Sequence, residues 1–292
     1  GTPFTFAYEQ VGTNCGLIGK NAAVEVDGAA YWMSDNGFFR YTGKLESMDC
    51  LVEDYVYNDL NTTSNQMIYC GINNLFGEVI WFYPTSDSNV NLRSVTYSYL
   101  DSTAKRPIWF TNASSLFTRT TWQDSAVFGL PHATQYDADT DTSFDVTGNT
   151  EGITYYYEHE TGVNQVRLGV TTAIPANITS GDYDITQKVI RGAATNMADL
   201  RGDGENIMRV SRIIPDFIAQ QGNAIVQLDL RNYPNDAAAS SSLGPFTVSS
   251  TTDKVNTRAR GRAIALTISN TAVDTSWKLG TFRLDIQTGG RR

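Results

Sequence analysis

The sequence predicts an all-β protein, with propeller-like or open antiparallel sheets followed by a β-sandwich-like domain. Three observations carry this reading. Apolar residues alternate with polar ones at period 2 in many short runs, and sustained helical periodicity is absent. Thr, Asn, Asp, Ser and Gly crowd the gaps between those runs, as tight turns require. Aromatic residues make up 11% of the chain, a composition that favours pleated, half-buried surfaces. At 292 residues the chain is long enough to predict two domains, divided at 1–173 and 174–292.

Lys20–Lys44, KNAAVEVDGAAYWMSDNGFFRYTGK, reads as three short strands. Val24, Val26, Tyr31 and Met33 hold the strand period, and Asp27-Gly28 and Asn36-Gly37 supply the corners. CLVEDYVYNDLN (50–61) follows as a connector with one helical turn. NQMIYCGINN and GEVIWFYPTS then make a second hairpin, which SVTYSYLD and RPIWFT continue. AVFGLPHATQY, a polar Asp/Thr loop and GITYYYEHETG form a third set. The shared theme is an aromatic strand ending in a turn, at Tyr31, Trp81 and Tyr155. Antiparallel sheets recurring every 40–50 residues or so suggest propeller blades, but a propeller needs about four to eight of them. The sequence supplies three. Either the remaining blades lie upstream of Gly1 or the unit is an open sheet or sandwich; GTPFTFAY, opening the chain in mid-pattern, fits proteolytic maturation or, better, a further part upstream.

From Ile174-Pro175 the runs lengthen: GDYDIT, IMRVSRIIPDFI, AIVQLDLRNYP, GPFTVSS, RGRAIALTISN and LGTFRLDIQ. Val226, Leu228 and Leu230 share one face and Gln227, Asp229 and Arg231 the other. Phe282, Leu284 and Ile286 repeat the pattern, at the strand spacing of a sandwich. ATNMADL (194–200) can make a turn or two of helix.

The net charge of -9 is unevenly spread. Residues 1–200 hold 10 basic and 23 acidic side chains, whereas 201–292 hold 12 and 8. The acidic first part argues against ordinary phosphate-neutralising nucleic-acid binding. No apolar run reaches the roughly 18 residues of a membrane span, so no membrane span is expected. Cys15, Cys50 and Cys70 lack CxxC spacing and are odd in number. They read as buried free thiols of a reducing cytoplasm rather than a zinc site or disulfide framework.

Candidate chemistry is sparse. His159 stands between Glu158 and Glu160, whose strand positions aim them at the opposite face, and His132 is the only other histidine. A turn-stabilising role fits His159 better than catalysis. Asp137, Asp139, Asp141 and Asp145 match positions 1, 3, 5 and 9 of a calcium loop. Thr142 stands where that loop needs Gly, and Gly148 where it needs a bidentate Glu. A solvated loop is therefore the default, with no metal. GLIGKN (16–21) lacks P-loop spacing, and MSDNGFF misses the sialidase Asp-box because Ser34 directly precedes Asp35. Glu53 and Asp54 are adjacent and, in a strand, diverge. No cofactor and no catalytic residue are expected.

The most specific basic feature is Arg258, Arg260 and Arg262 in NTRARGRAIALTI. Period 2 puts them on one face, yet the same parity continues into Ile264, Leu266 and Ile268. Either a bulge at Gly261 flips the register or the first half projects beyond its own core. A projecting arginine row suits a subunit contact, because guanidinium forks pair bidentately with carboxylates. The alternative is local pairing with Asp229 or Asp285.

Taken together, KNAAVEVDGAAYWM, GEVIWFYP, YYYEHETGV, RARGRAIALTI and WKLGTFRLDIQTGGRR resemble the tail hub or nozzle proteins of tailed bacteriophages, some of them called packaged-DNA stabilisation proteins. The resemblance spans Lys20–Arg292 as strand texts rather than one diagnostic motif. It implies a structural virion protein made in the host bacterial cytoplasm. Such a protein forms a homo-oligomer, a hexameric ring, with adaptor and fibre or needle proteins as partners. It retains and then conducts double-stranded DNA without reading its sequence. No gate loop matches residue by residue, and the family assigns no catalytic residues to carry over. Two alternatives stand beside this: a propeller-type glycan hydrolase, and a host-surface glycan-binding module using loop Trp and Tyr for stacking.

Overall fold

The computed structural model describes residues 9–112, 118–137, 153–185, 206–233, 236 and 239–290. The chain is all-β and divides into two compact units, Gly1–Thr161 and Gly162–Arg292. This lies close to the division read from the sequence, with residues 164–173 grouped in the second unit.

The first unit holds three consecutive antiparallel meanders. β1 (Ala23–Val26), β2 (Ala29–Ser34), β3 (Gly37–Tyr41) and β4 (Leu45–Met48) pair in chain order. The first corner forms as expected, with Asp27 and Gly28 both left-handed at φ 52° and 77° between paired Val26 and Ala29. At the second, Ser34 pairs with Gly37, so the loop residues are Asp35 and Asn36 and the glycine opens β3. The connector carries one short helix, α1 (Glu53–Tyr57). β5 (Tyr69–Asn73), β6 (Glu78–Pro84), β7 (Asn91–Ser98) and β8 (Trp109–Asn112) form the second meander. β9 (Thr121–Gln123), β10 (His132–Asp137) and β11 (Ile153–Glu158) form the third, with β10 central.

The strand β6 is buried on both faces. Along β6, Val79, Trp81 and Tyr83 enter one core together with Tyr31, Met33 and Phe38 of the first meander. Ile80 and Phe82, on the opposite face, pack with Trp122 and Ala133 of the third. This explains why GEVIWFYP reads as a continuous apolar run rather than an alternating one. Indole N–H groups tie the layers together. Trp81 Nε1 donates to the Ala22 carbonyl at 3.0 Å, and Trp109 Nε1 to that of Asp49 at 2.8 Å. Trp122 Nε1 donates to the Ile72 carbonyl at 2.6 Å. Each bond joins one meander to the chain within or immediately beside the one before it. Phe38, Trp81 and Trp109 form a tilted aromatic cluster with centroids 4.9–6.0 Å apart.

The second unit begins with a hairpin, β12 (Asn164–Arg167) and β13 (Val170–Ala173). Its turn places Leu168 at φ 50° and Gly169 at φ 78°. A leucine in left-handed backbone is no turn signature, and the sequence reading did not assign this element. β14 (Ala176–Thr179), β15 (Met208–Ile214), β16 (Phe217–Gln221), β17 (Ala224–Arg231), β18 (Ser241–Val248), β19 (Val255–Gly261), β20 (Ala263–Asn270), β21 (Ser276–Leu279) and β22 (Arg283–Thr288) follow. One sheet runs β14-β20-β17-β18 and another β19-β15-β22, with β16 and β21 paired separately. Val226, Leu228, Leu230, Ile264 and Ile268 of the first share one core with Met208, Val210, Ile213 and Ala259 of the second. Of GDYDIT, expected as a strand, the described residues 181–185 contribute a bridge between Tyr183 and Ile264. ATNMADL lies outside the described residues.

The close approach of β5 to the third meander depends on Gly71, where an added Cβ would lie 2.4 Å from the Trp122 ring. Gly71→Ala should therefore cost roughly 1–3 kcal/mol of first-unit stability through overpacking, read by chemical denaturation. An unchanged midpoint would mean that the layers have slack at this point.

Candidate functional site

The arginine row is the first site to place, and the structure corrects its geometry. NTRARGRAIALTI is two strands: β19 ends at Gly261, and β20 begins at Ala263 in the other sheet. Thr257, Ala259 and Gly261 are buried on one side of the corner, and Ile264, Leu266 and Ile268 or their neighbours on the other. The inward parity flips because the chain changes sheets at Arg262. Arg262 is half-buried at the corner, its N–H donating to the Arg231 carbonyl at 2.9 Å, and so leaves the row. Arg258 and Arg260 remain exposed on the outward face.

Three more arginines join them, which the sequence reading missed because they come from other strands. Arg209 lies directly opposite Arg260, and Arg212 opposite Asn256 and Asp285. Arg283 lies on the same face of β22 as Asp285. Local pairing with the expected aspartates does not involve the row. Asp285 is bridged by Arg212 at 3.3 Å. Asp229, in the other sheet, accepts from Gln227, Ser242 and Thr267, which hold its carboxyl below the usual range against the opposing effect of burial. Among the described residues, Arg209, Arg258, Arg260 and Arg283 make no ion pair. One outward sheet face thus carries five arginines and one aspartate.

His159 is a packing group. Its Nε2 accepts from Arg119 Nε at 2.9 Å, leaving the ring proton on Nδ1, and its ring lies 4.5 Å from that of Trp122. Arg119, only 3% exposed, also donates to the Thr118 carbonyl and to Gln135 Oε1. Its guanidinium stacks 4.2 Å over the Tyr157 ring. Burial, reinforced by the Arg119 charge, pulls the His159 pKa down to about 3 and keeps the imidazole neutral. Burial also lowers Arg119 to about 10, still cationic at neutral pH. A nitrogen already accepting from a buried cation is unavailable as a general base.

A second perturbed group sits at the end of β6. Burial and the carboxylates of Glu160 and Asp101 push Glu78 up to about 7. Burial likewise raises Glu160, opposed by a hydrogen bond from Asn73 Nδ2 at 3.0 Å. Asp124 accepts from the Asn74 N–H nearby. Two of the thiols are equally unsuited to nucleophilic work. Cys15, Cys50 and Cys70 are free, and burial pushes Cys50 up to about 12 and Cys70 well above its normal range. Cys15 and Cys50 are half-buried rather than buried, which corrects the expectation for those two.

Among the surface clefts, one of about 490 Å³ is lined by Leu243, Phe246, Thr257 and Arg258, beside the arginine face. Another of about 400 Å³ contains Arg40, Glu46 and Tyr99. There Arg40 bonds Glu46 directly and lowers its pKa, the opposite of what a general acid requires. Asp139, Asp141 and Asp145 lie outside the described residues, and Asp137 is placed only as the last residue of β10. Among the described residues, no group of three or more His, Cys, Asp or Glu is positioned to hold a metal ion, and no helix is long and apolar enough to cross a membrane.

Two opposite pH effects follow. Unfolded His159 regains its ordinary pKa near 6.5 and takes up protons that the folded ring refuses. Its contribution is therefore complete above pH 6.5 and lost as pH falls towards 3. His159→Gln should flatten that limb of a stability–pH curve. Glu78 behaves conversely: its stabilisation is present below pH 4.5 and lost as pH rises through 7. Glu78→Gln should raise the melting temperature above pH 7 and leave it unchanged near pH 4. Equal shifts at both pH values would mean that Glu78 titrates normally. Comparison of the chain with protein-family models and with curated proteins finds no match to either.

Proposed function

We propose that this chain is a structural component of a bacteriophage tail, of the hub or nozzle type. On this reading it assembles into a ring around the DNA channel and works by shape rather than by turnover. The observation that carries the proposal is how the reactive and aromatic groups are used. Tryptophans Trp81, Trp109 and Trp122 staple sheet to sheet, and the His159 nitrogen is engaged by Arg119. The strand texts that resemble tail hub proteins support the same reading, and the three stacked meanders are consistent with blades of a propeller-like wall. The surplus of 20 acidic over 7 basic residues in 1–161 suits a surface along which DNA slides without sticking, since every phosphate contact adds affinity.

One observation favours a second reading. On the outer face of the third meander, Phe128, His132 and Tyr156 cluster with centroids 4.9 and 5.3 Å apart, and Phe128 and Tyr156 are 54% and 66% exposed. Such a platform suits stacking on sugar rings, as in a host-surface glycan-binding module.

Electron microscopy of the purified protein separates the two. Closed rings are the expected result. A monomer at every concentration, retained on a bacterial glycan and released by Tyr156→Ala, would transfer the assignment to the binding module. Depolymerisation of that glycan would make the protein an enzyme instead.

A further inference from the structure

We propose that the outward face of the β19-β15-β22 sheet docks on the acidic first unit of a second copy, with Arg209, Arg258 and Arg260 received by the carboxylate edge of Glu78, Asp101 and Glu160. The inference rests on the ring reading above and names the contact that would build it.

The arginine face breaks a local rule. Arg260 and Arg209 are directly opposed across an antiparallel ladder, where like charges weaken strand pairing. Exposed side chains of this kind are normally interleaved with carboxylates, but among the described residues the one aspartate on the face is taken by Arg212. Local rules are broken mainly at functional sites, and with no compensation among the described residues the break points to a partner. Successive outward positions on a strand are about 6.8 Å apart and neighbouring strands about 4.8 Å, so the guanidinium groups form a dense, flat donor array.

The carboxylate edge has the complementary defect. Glu78, at the start of β6, is paired across the sheet with Asn73 on one side and Ser98 on the other, and those two side chains hold Glu160 and Asp101; none of the three carboxylates forms an ion pair among the described residues. Asp101 and Glu160 are exposed. Their bonds are to neutral groups, Ser98 and Asn73. Burial first and repulsion second favour protonation of Glu78, and arginines arriving here would relieve the repulsion. Each defect supplies what the other lacks.

Guanidinium groups bind phosphate as readily as carboxylate, so the choice of partner follows from the charge of the chain. Residues 1–161 hold 7 basic and 20 acidic side chains, and residues 162–292 hold 15 and 11. A nucleic acid approaching the arginines meets a protein with a net charge of -9. A second copy offers its strongly acidic unit to the basic one. Two different surfaces meeting in this way make a heterologous contact, which closes into a ring when the rotation permits.

The test is sedimentation velocity on full-length chains carrying Arg258→Glu with Arg260→Glu, or Asp101→Lys with Glu160→Lys, each alone and then mixed. Each variant alone should associate at least about tenfold more weakly than wild type, the scale of one or two close charge pairs. The mixture should recover assembly, because alternating copies present matched faces at every junction. Arg260→Gln guards against a folding defect: it should raise the melting temperature of the chain while weakening association. Unaltered assembly of both variants would overturn the inference and leave the ring reading in place. A wild-type monomer at all concentrations would remove both. Recovery only when all four substitutions share one chain would put the contact within a single copy and overturn the inference. Salt-sensitive binding of duplex DNA, abolished by the arginine substitutions, would assign the face to phosphate instead.

Discussion

The first unit depends on tryptophans that are buried or half-buried in one layer and hydrogen-bonded to the next. An indole that buries about 200 Å² contributes on the order of 5 kcal/mol, several times the roughly 1 kcal/mol of its N–H bond. Burial therefore drives the stacking, while the bond fixes which carbonyl each ring faces. Trp81, Trp109 and Trp122 together link three meanders that would each be marginal alone. The absence of a Cβ at Gly71 is what lets the last of these rings reach its place.

The same economy governs the ionisable groups. In the first unit, burial pushes groups towards their neutral forms: His159 downward, Glu78 and Cys70 upward. Arg119 keeps its charge because Gln135, Thr118 and the Tyr157 ring receive it. In the second unit five arginines gather on the outward face of one sheet. Perturbed pKa values often mark catalytic centres. Here they sit where layers press together, and His159 is held by a contact that disables it as a base.

Much of the fold was legible in the sequence. The Asp27-Gly28 corner, the helical turn in the connector, and the hairpins that place Trp81 and Tyr155 all follow from local pattern. The hairpin turning at Leu168 was not legible, because nothing in a leucine announces left-handed backbone. Nor was the sheet change at Arg262. Alternation holds through β19 and, Ala265 apart, through β20, and only the parity conflict between Arg258 and Ile264 hints that the two halves lie in different sheets.

By itself, then, the sequence determined the strand-forming segments, the aromatic layers and the basic character of the last third, because these follow from period, composition and count. Tertiary structure decided which arginines stand together. Arg209, Arg212 and Arg283 are separated from Arg258 and Arg260 along the chain, and only the β19-β15-β22 ladder makes them neighbours. Sheet order is set by long-range packing, and no local pattern encodes which strand lies next to which.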